Sequence, residues 1–459
     1  MRRKANLLRW PVCVLFLLAA LCTAATGEVI YVDDDADGAN DGSSWSDAFT
    51  DLQDALAVAH QEGDEICVAQ GIYTPTQDPL DRDATFDLKD GVTITGGYAG
   101  PAGMYPDFRH TKFFATILSG DIDHNDDIVD PNTNEGNSHH VVTCTGPGNT
   151  AVLEGVTITG GYSSGGAVHG NRGKGGGLYC QGGSPQLIDC IFTDNYAWGG
   201  GGGAVHVSLG SYPAFTRCIW EDNDARVGGA IYASRRSSLS LNYCVFHRNT
   251  AGLKGGAIYT ELGSQIRVVN CLFVANTAND TGGAVSCPDS INGNGDSLFN
   301  LVNCTFYGNS SPTFYKPPTN SAKQPDGSRE RWSGSVITNC IFYNSIANEE
   351  SEIPASFEFG REEPLIITSI YEKEPDQDGV IPPTSDPLFV DPYGADGILG
   401  TEDDDFRLAP VSPAIDSGTN ETEPSLPAMD LDGYPRILND IVDLGAYEFT
   451  DAIDADAEN

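Results

Sequence analysis

The chain has 459 residues, and its 65 acids against 25 bases give a formal net charge of −40. Such an excess of acid excludes nucleic acid and anionic membrane as general partners, because both repel a polyanion. The 53 glycines and 26 prolines suit many short strands joined by turns rather than long helices.

Residues 1–25 carry Arg2, Arg3, Lys4 and Arg9, then the apolar stretch Val12 to Leu21, then the small residues Thr23-Ala24-Ala25. This order is that of a secretory signal peptide, whose apolar part is too short to span a bilayer. Its removal takes four bases and no acids, leaving a balance of −44. No later segment is apolar enough to be transmembrane, so the mature protein is expected to be secreted, extracellular or at the cell surface. Residues 26–65 hold a strand and a capping helix, for Leu52, Ala55, Leu56 and Ala59 recur at helical spacing and would protect an open sheet edge. Ahead of that helix, Asp33, Asp35, Asp37 and Gly38 match the first half of a calcium-binding loop. Ser44 stands where the loop needs a bidentate Glu.

From there the chain repeats. Cys190, Cys218, Cys244, Cys271, Cys304 and Cys340 are separated by 28, 26, 27, 33 and 36 residues, a period that marks a solenoid in which each unit buries its apolar face only by stacking on the next. Three residues before each cysteine stand Leu187, Phe215, Leu241, Val268, Leu301 and Ile337, and two after it Phe192, Trp220, Phe246, Phe273, Phe306 and Phe342. The polar residue just before the cysteine breaks the alternation, as a bend between two short strands does. Asn195, Asn223, Asn249, Asn276 and Asn309 follow five residues after the cysteine, and each is expected to sit left-handed in a turn while its amide bonds to copies above and below. Glycine pairs such as Gly228-Gly229 and Gly255-Gly256 then open the next strand where no Cβ would fit. Weaker copies at 91–98 and 155–162 extend the expected coil to residues 66–370.

Ten cysteines follow the leader. In-register neighbours on stacked strands lie about 4.8 Å apart with parallel Cβ vectors, whereas a disulfide wants about 3.8 Å and convergence. A file of buried thiols is therefore favoured for the six repeat cysteines, while Cys67, Cys144, Cys180 and Cys287 stand outside that file and are left open to pairing.

Residues 312–333 are rich in Pro, Lys, Arg and Gln and read as a loop thrown out of the coil. Residues 386–449 lack the repeat and form a capping module, followed by the acidic tail 450–459. Within the module, Asp391, Asp396, Asp403 and Asp405 surround glycine turns and are a second candidate for structural calcium. Asp121, Asp123 and Asn125 are a third, weaker one.

The GGA[IV] and Phe-x-x-Asn elements, as in Phe246-His-Arg-Asn249 and Phe273-Val-Ala-Asn276, resemble the repeats of polymorphic outer membrane proteins. More broadly they resemble the right-handed parallel β-helix superfamily that includes pectate lyases. The resemblance implies an all-β, three-sheeted solenoid with a hydrophobic bore. The terminal Ser412-Pro-Ala-Ile-Asp416 and Asp443-Leu-Gly-Ala-Tyr-Glu-Phe449 resemble choice-of-anchor domains. No run of amphipathic strands precedes Phe449, so the membrane barrel of the outer-membrane family is not carried over.

In the strand after each glycine pair the middle residue is aliphatic and is expected to face inward. The third residues Tyr179, His206, Tyr232, Tyr259 and Ser286, at steps of 27, 26, 27 and 27, are then expected to form one outward column. In pectate-lyase-like proteins the corresponding sheet lines the saccharide groove, and tyrosine rings suit sugar rings. Between Arg217 and Arg267 seven bases outnumber four acids. Arg235, Arg236, Arg248 and Lys254 are thus expected to form a cationic strip beside the column, able to grip glycan carboxylates. The expected partner is a polysaccharide or cell-envelope glycan, bound by a surface-structural or adhesin-like module without catalysis. A lyase acting on an acidic glycan is the alternative, since the chain shows no acidic cluster beside Arg235 and Arg236 and no catalytic residue is assigned.

Overall fold

A computed structural model describes residues 27–450 except 102, 128–130, 166–169, 289–296, 311–312, 316–335, 345–364, 368 and 372–385. The leader 1–25, the loop 312–333 apart from 313–315, and the acidic tail after residue 450 lie outside the described residues.

The protein is an all-β, right-handed parallel β-helix. One coil runs from Ile231–Ala233 in a third sheet to Ser238–Asn242 in a first, Val245–His247 in a second and Thr250–Lys254 in a short fourth, then re-enters the third at Ile258–Thr260. Among the described residues the first three sheets hold eleven, ten and eight strands, and the fourth five. Central coils stack in register, pairing Ile231 with Ile258, Leu241 with Val268 and Phe246 with Phe273. Like therefore falls on like. From Phe192 to Phe342 the rings sit 4.4 to 5.5 Å apart with planes within 8°, fully buried beside the aliphatic files of the other two sheets.

In the six cysteine-bearing coils the corner between the first and second sheets is one left-handed residue followed by the cysteine. Asp189, Arg217, Tyr243, Asn270, Asn303 and Asn339 all have φ between 51° and 57°, and the thiols turn inward, Cys190 and Cys244 each donating to a carbonyl 3.3 Å away. All ten described cysteines are buried as thiols, including the four left open.

The asparagines form a continuous ladder, but not in the expected backbone conformation. The residue before each is the left-handed one, with Asp194, Asp222, Arg248 and Ala275 at φ 53° to 55°. The reason is the amide's position inside the turn. Asn249 Nδ2 donates to Trp220 O at 2.9 Å and to Asn276 Oδ1 at 2.9 Å, while its Oδ1 accepts from Asn223 Nδ2 at 3.0 Å. The glycine pairs then carry the chain through a contact that excludes any side chain: a Cβ on Gly229 would stand 2.2 Å from Gly256 O.

The helix Leu52–Val58, capped by Asp51 accepting from Gln53 N at 2.8 Å, buries Leu52, Ala55 and Leu56 over the first coils. The strand Val29–Val32 before it already pairs with Glu65–Ala69 and so opens the first sheet itself. Residues 386–449 are expected to close the coil as a cap. Instead they fold back along its side. Phe389, Leu399 and Phe406 pack on Val274, Tyr307 and Tyr343, and the corner asparagines grip the segment. Asn270, Asn303 and Asn339 donate to the carbonyls of Met429 at 2.6 Å, Asp443 at 2.9 Å and Thr419 at 2.9 Å.

Replacing Asn249 by Ala removes the acceptor shared by Asn223 N and Nδ2 and the donor to the buried Trp220 carbonyl, and we expect a loss of about 3 kcal/mol in urea unfolding. Thr250→Ala, on the exposed side of the same turn, should cost less than about 0.5 kcal/mol. Equal small losses would show that the ladder does not hold the coils together.

Candidate functional site

The third residues do share one file on the outside of the third sheet. Tyr179, His206, Tyr232, Tyr259 and Ser286 are register partners, and the rings stack at 5.6, 4.8 and 5.5 Å. His140 extends the stack at 5.1 Å from Tyr179. Its approach from a chain segment outside the register left no periodic signal in the sequence.

The file is not the open platform expected. Tyr179, His206 and Tyr232 are 6%, 2% and 9% exposed, Ser286 is buried and Tyr259 is half-buried. Two things cover them: the rings themselves, stacked at the coil spacing, and the glycine-rich backbone that runs over them. An added Cβ on Gly175 would meet His206 Cβ at 3.0 Å, and one on Gly201 would meet Tyr232 Cδ2 at 3.2 Å. What reaches solvent is a cleft of about 170 Å³ along the file's edge, lined by Lys174, Gln181, Tyr232, Arg235 and Glu261 among others. Tyr179 Oη donates to Gln181 Oε1 at 2.5 Å, and Glu261 accepts from the Tyr232 hydroxyl. Burial raises the phenol pKa of all three tyrosines and lowers the Lys174 amine, the latter with help from Arg235. Burial, and then Lys174, pushes His206 down to about 3. At neutral pH the stack itself is thus uncharged, and Lys174, Arg235 and Glu261 line the cleft beside it. Lys174, immediately before the glycine pair Gly175-Gly176, pairs with Gly201 on the next coil and lies outside the repeat positions that sequence reasoning followed.

Arg235 and Arg236 are exposed in the turn between the third and first sheets. Equivalent turns are Ser208-Leu209-Gly210-Ser211 and Glu261-Leu262-Gly263-Ser264, and in all three the closing serine hydroxyl donates to the first residue's carbonyl at 2.6 to 2.8 Å. Both middle residues are left-handed, Arg235 at φ 56° and Arg236 at φ 62°. Arg236 therefore occupies, at a cost of about 1 kcal/mol, a place its neighbours give to glycine.

The rest of the expected strip is dispersed. Arg248 binds Asp222 at 2.6 Å and the Gly400 carbonyl at the edge of the second sheet. Lys254 faces Asp280 at 3.5 Å on the fourth, and Arg217 pairs with Asp189 at 2.6 Å at a corner. A window of fifty residues winds almost twice round the rod, so local charge along the chain does not become local charge in space.

Nor do the acidic runs converge. Among the described residues no group of three or more His, Cys, Asp or Glu side chains is placed to hold a metal ion. Asp33 is buried and accepts from Asp35 N at 3.3 Å, while Asp35 and Asp37 face solvent. Asp403 accepts from Ala395 N at 2.6 Å, Asp396 from Ile398 N at 2.7 Å, and Asp405 pairs with Arg407 at 2.6 Å; Asp391 is exposed in a short hairpin strand. Asp33, Asp396, Asp403 and Asp405 are thus engaged as turn acceptors or ion-pair partners.

This architecture defines the class: a right-handed parallel β-helix. Residues 122–310 match a family described as a right handed beta helix region. Among solved structures the chain is similar to a crystal structure of pectate lyase Pel9A, at 15% identity and a TM-score of 0.46, over 93% of this chain and 97% of that one. No curated protein matches the chain.

The buried histidine gives a pH test. Its folded pKa lies below the value of about 6.5 expected on unfolding, so the unfolded chain takes up the proton first and stability contributed here falls as pH drops below about 6.5. His206→Phe keeps the stack and removes the titration. Relative to wild type it should gain about 2 kcal/mol between pH 6 and pH 4.5 in unfolding experiments. A pH-independent difference would mean that His206 protonates in place.

Proposed function

We propose that the protein is an exported surface β-helix that binds an acidic glycan, without catalysis, along the third sheet at the Lys174–Arg235 cleft. The observation that carries this reading is the Arg235-Arg236 pair, which stays exposed in left-handed backbone where the neighbouring coils use glycine at the second position. Strained backbone that is kept at an exposed cationic turn, in a chain of net −40, is where selection for function rather than stability acts. Guanidinium groups offer forked donors to carboxylate or sulfate, and the edges of Tyr179, Tyr232 and Tyr259 supply apolar surface for a sugar ring. Arg248 lies off this face and Lys254 is paired with Asp280, so both are left out of it.

Glycan-array screening followed by calorimetry tests this. Arg235→Ala with Arg236→Ala should weaken binding of uronate-containing oligosaccharides at least about tenfold, the loss of more than one charge-assisted hydrogen bond. Arg267→Ala on the first sheet should leave affinity unchanged. Arg236→Gly should lose affinity while raising stability by about 1 kcal/mol. Equal binding of neutral and acidic glycans, or an unaffected double variant, would refute the site.

A lyase remains the second reading on one observation: an amine lowered by burial and by Arg235 is suited to taking the proton α to a uronate carboxylate. It requires the ultraviolet absorbance of an unsaturated uronate to grow on incubation with the bound glycan and to vanish with Lys174→Ala. Binding without that absorbance leaves the binding module.

A further inference from the structure

In the central coils the corner between the first and second sheets is a single left-handed residue and a cysteine. In the third coil the chain instead leaves Thr93–Tyr98 and returns at Thr116–Ser119 after a long excursion. Its apolar side chains point away from the protein: Met104 is 86% exposed, Tyr105 71%, Phe108 54% and Phe113 75%, and Ile72, on the strand that pairs with Thr116–Ser119, is 60% exposed. Scattered surface apolar residues are ordinary, but four large ones within ten residues of one loop are not.

The loop is fixed in this arrangement by its own polar groups. Ala99 N donates to Phe108 O at 2.9 Å, Phe108 N to Tyr105 O at 2.9 Å and His110 N to Gly97 O at 2.8 Å. Its ionic residues turn inward, Arg109 to Glu154 at 2.6 Å and Asp107 to the Trp45 indole at 2.8 Å. The His110 ring stacks on Phe113 at 4.2 Å, and Lys112 is exposed beside them. The acid of the loop is thus engaged, and a cation is left among the apolar tips.

We propose that this loop inserts into a lipid surface of neutral or zwitterionic headgroups. The shape decides against a pocket ligand, since a side chain exposed to 86% has no wall against it. The chemistry decides against a glycan, which needs several convergent polar side chains beside the rings. A convex tip of Met, Tyr and Phe next to a lysine fits the boundary between acyl chains and headgroup phosphates. The net charge of −40 sets the lipid class, because an anionic surface repels the rest of the rod.

The test uses the full chain and phosphatidylcholine vesicles in a flotation assay. Residues 1–26 are common to all variants, so their contribution cancels in the comparison. Phe108→Ser with Phe113→Ser should reduce vesicle partitioning at least tenfold while leaving glycan binding unchanged. Tyr105→Trp should shift its emission to the blue on vesicles and be quenched by brominated acyl chains, whereas Tyr212→Trp, on an exposed turn elsewhere, should not. Adding phosphatidylglycerol at low salt should weaken partitioning. An unchanged double variant, or a Trp at 105 that neither shifts nor is quenched, overturns the proposal. So does vesicle-independent self-association that the double variant abolishes, which would assign the loop to a second copy of the chain.

Discussion

Parallel hydrogen bonding with no residue offset between the central coils of the first three sheets is the constraint on which the rest of this structure depends. Once Ile231 lies on Ile258 and Phe246 on Phe273, each side chain's main neighbour is its own counterpart one repeat away. A residue type fits a position only if it packs on the side chain one repeat away. Aromatic rings do so with parallel planes, thiols do so as small hydrophobes, and amides do so by donating to the next amide's oxygen. Glycine does so where the backbones touch: a Cβ on Gly256 would meet Gly283 O at 1.9 Å.

That constraint explains what is tolerated as well as what is favoured. Six corner residues accept left-handed backbone without being glycine, because the one-residue bend delivers both flanking strands into register. Trp220 replaces phenylalanine in the aromatic file although its indole N–H finds no acceptor, so ring stacking outweighs a lost hydrogen bond there. At Arg236 the register asks only for a left-handed turn, which glycine supplies more cheaply, and its exposed guanidinium calls for a different explanation from the core's.

The side of the rod obeys a second rule. Along the second sheet the outward register partners run Thr193, Glu221 and His247, then Val274, Tyr307 and Tyr343. The change from polar to apolar marks where the C-terminal segment lies. Over the same coils the corner residues change from Asp189 and Arg217, which pair with each other, to asparagines whose amides bind that segment's carbonyls. Buried Arg436, which donates to the carbonyls of Asp443 and Gly445 at 2.9 Å beside the Glu448 carboxylate, fixes the segment's own turn.

The sequence by itself determined the solenoid, its bore, the thiol file, the amide ladder and the membership of the Tyr179–His206–Tyr232–Tyr259 column, because each is a relation between positions one period apart. Only the tertiary structure decided what covers that column, which cations join it and where the C-terminal segment lies. Lys174 and Arg235 meet across a cleft although 61 residues separate them. Arg248, nearer to Arg235 along the chain, is carried round to the edge of the second sheet. Period fixes what stacks along the axis. What meets around the circumference depends on turn geometry and on segments outside the repeat, and no regular spacing encodes either.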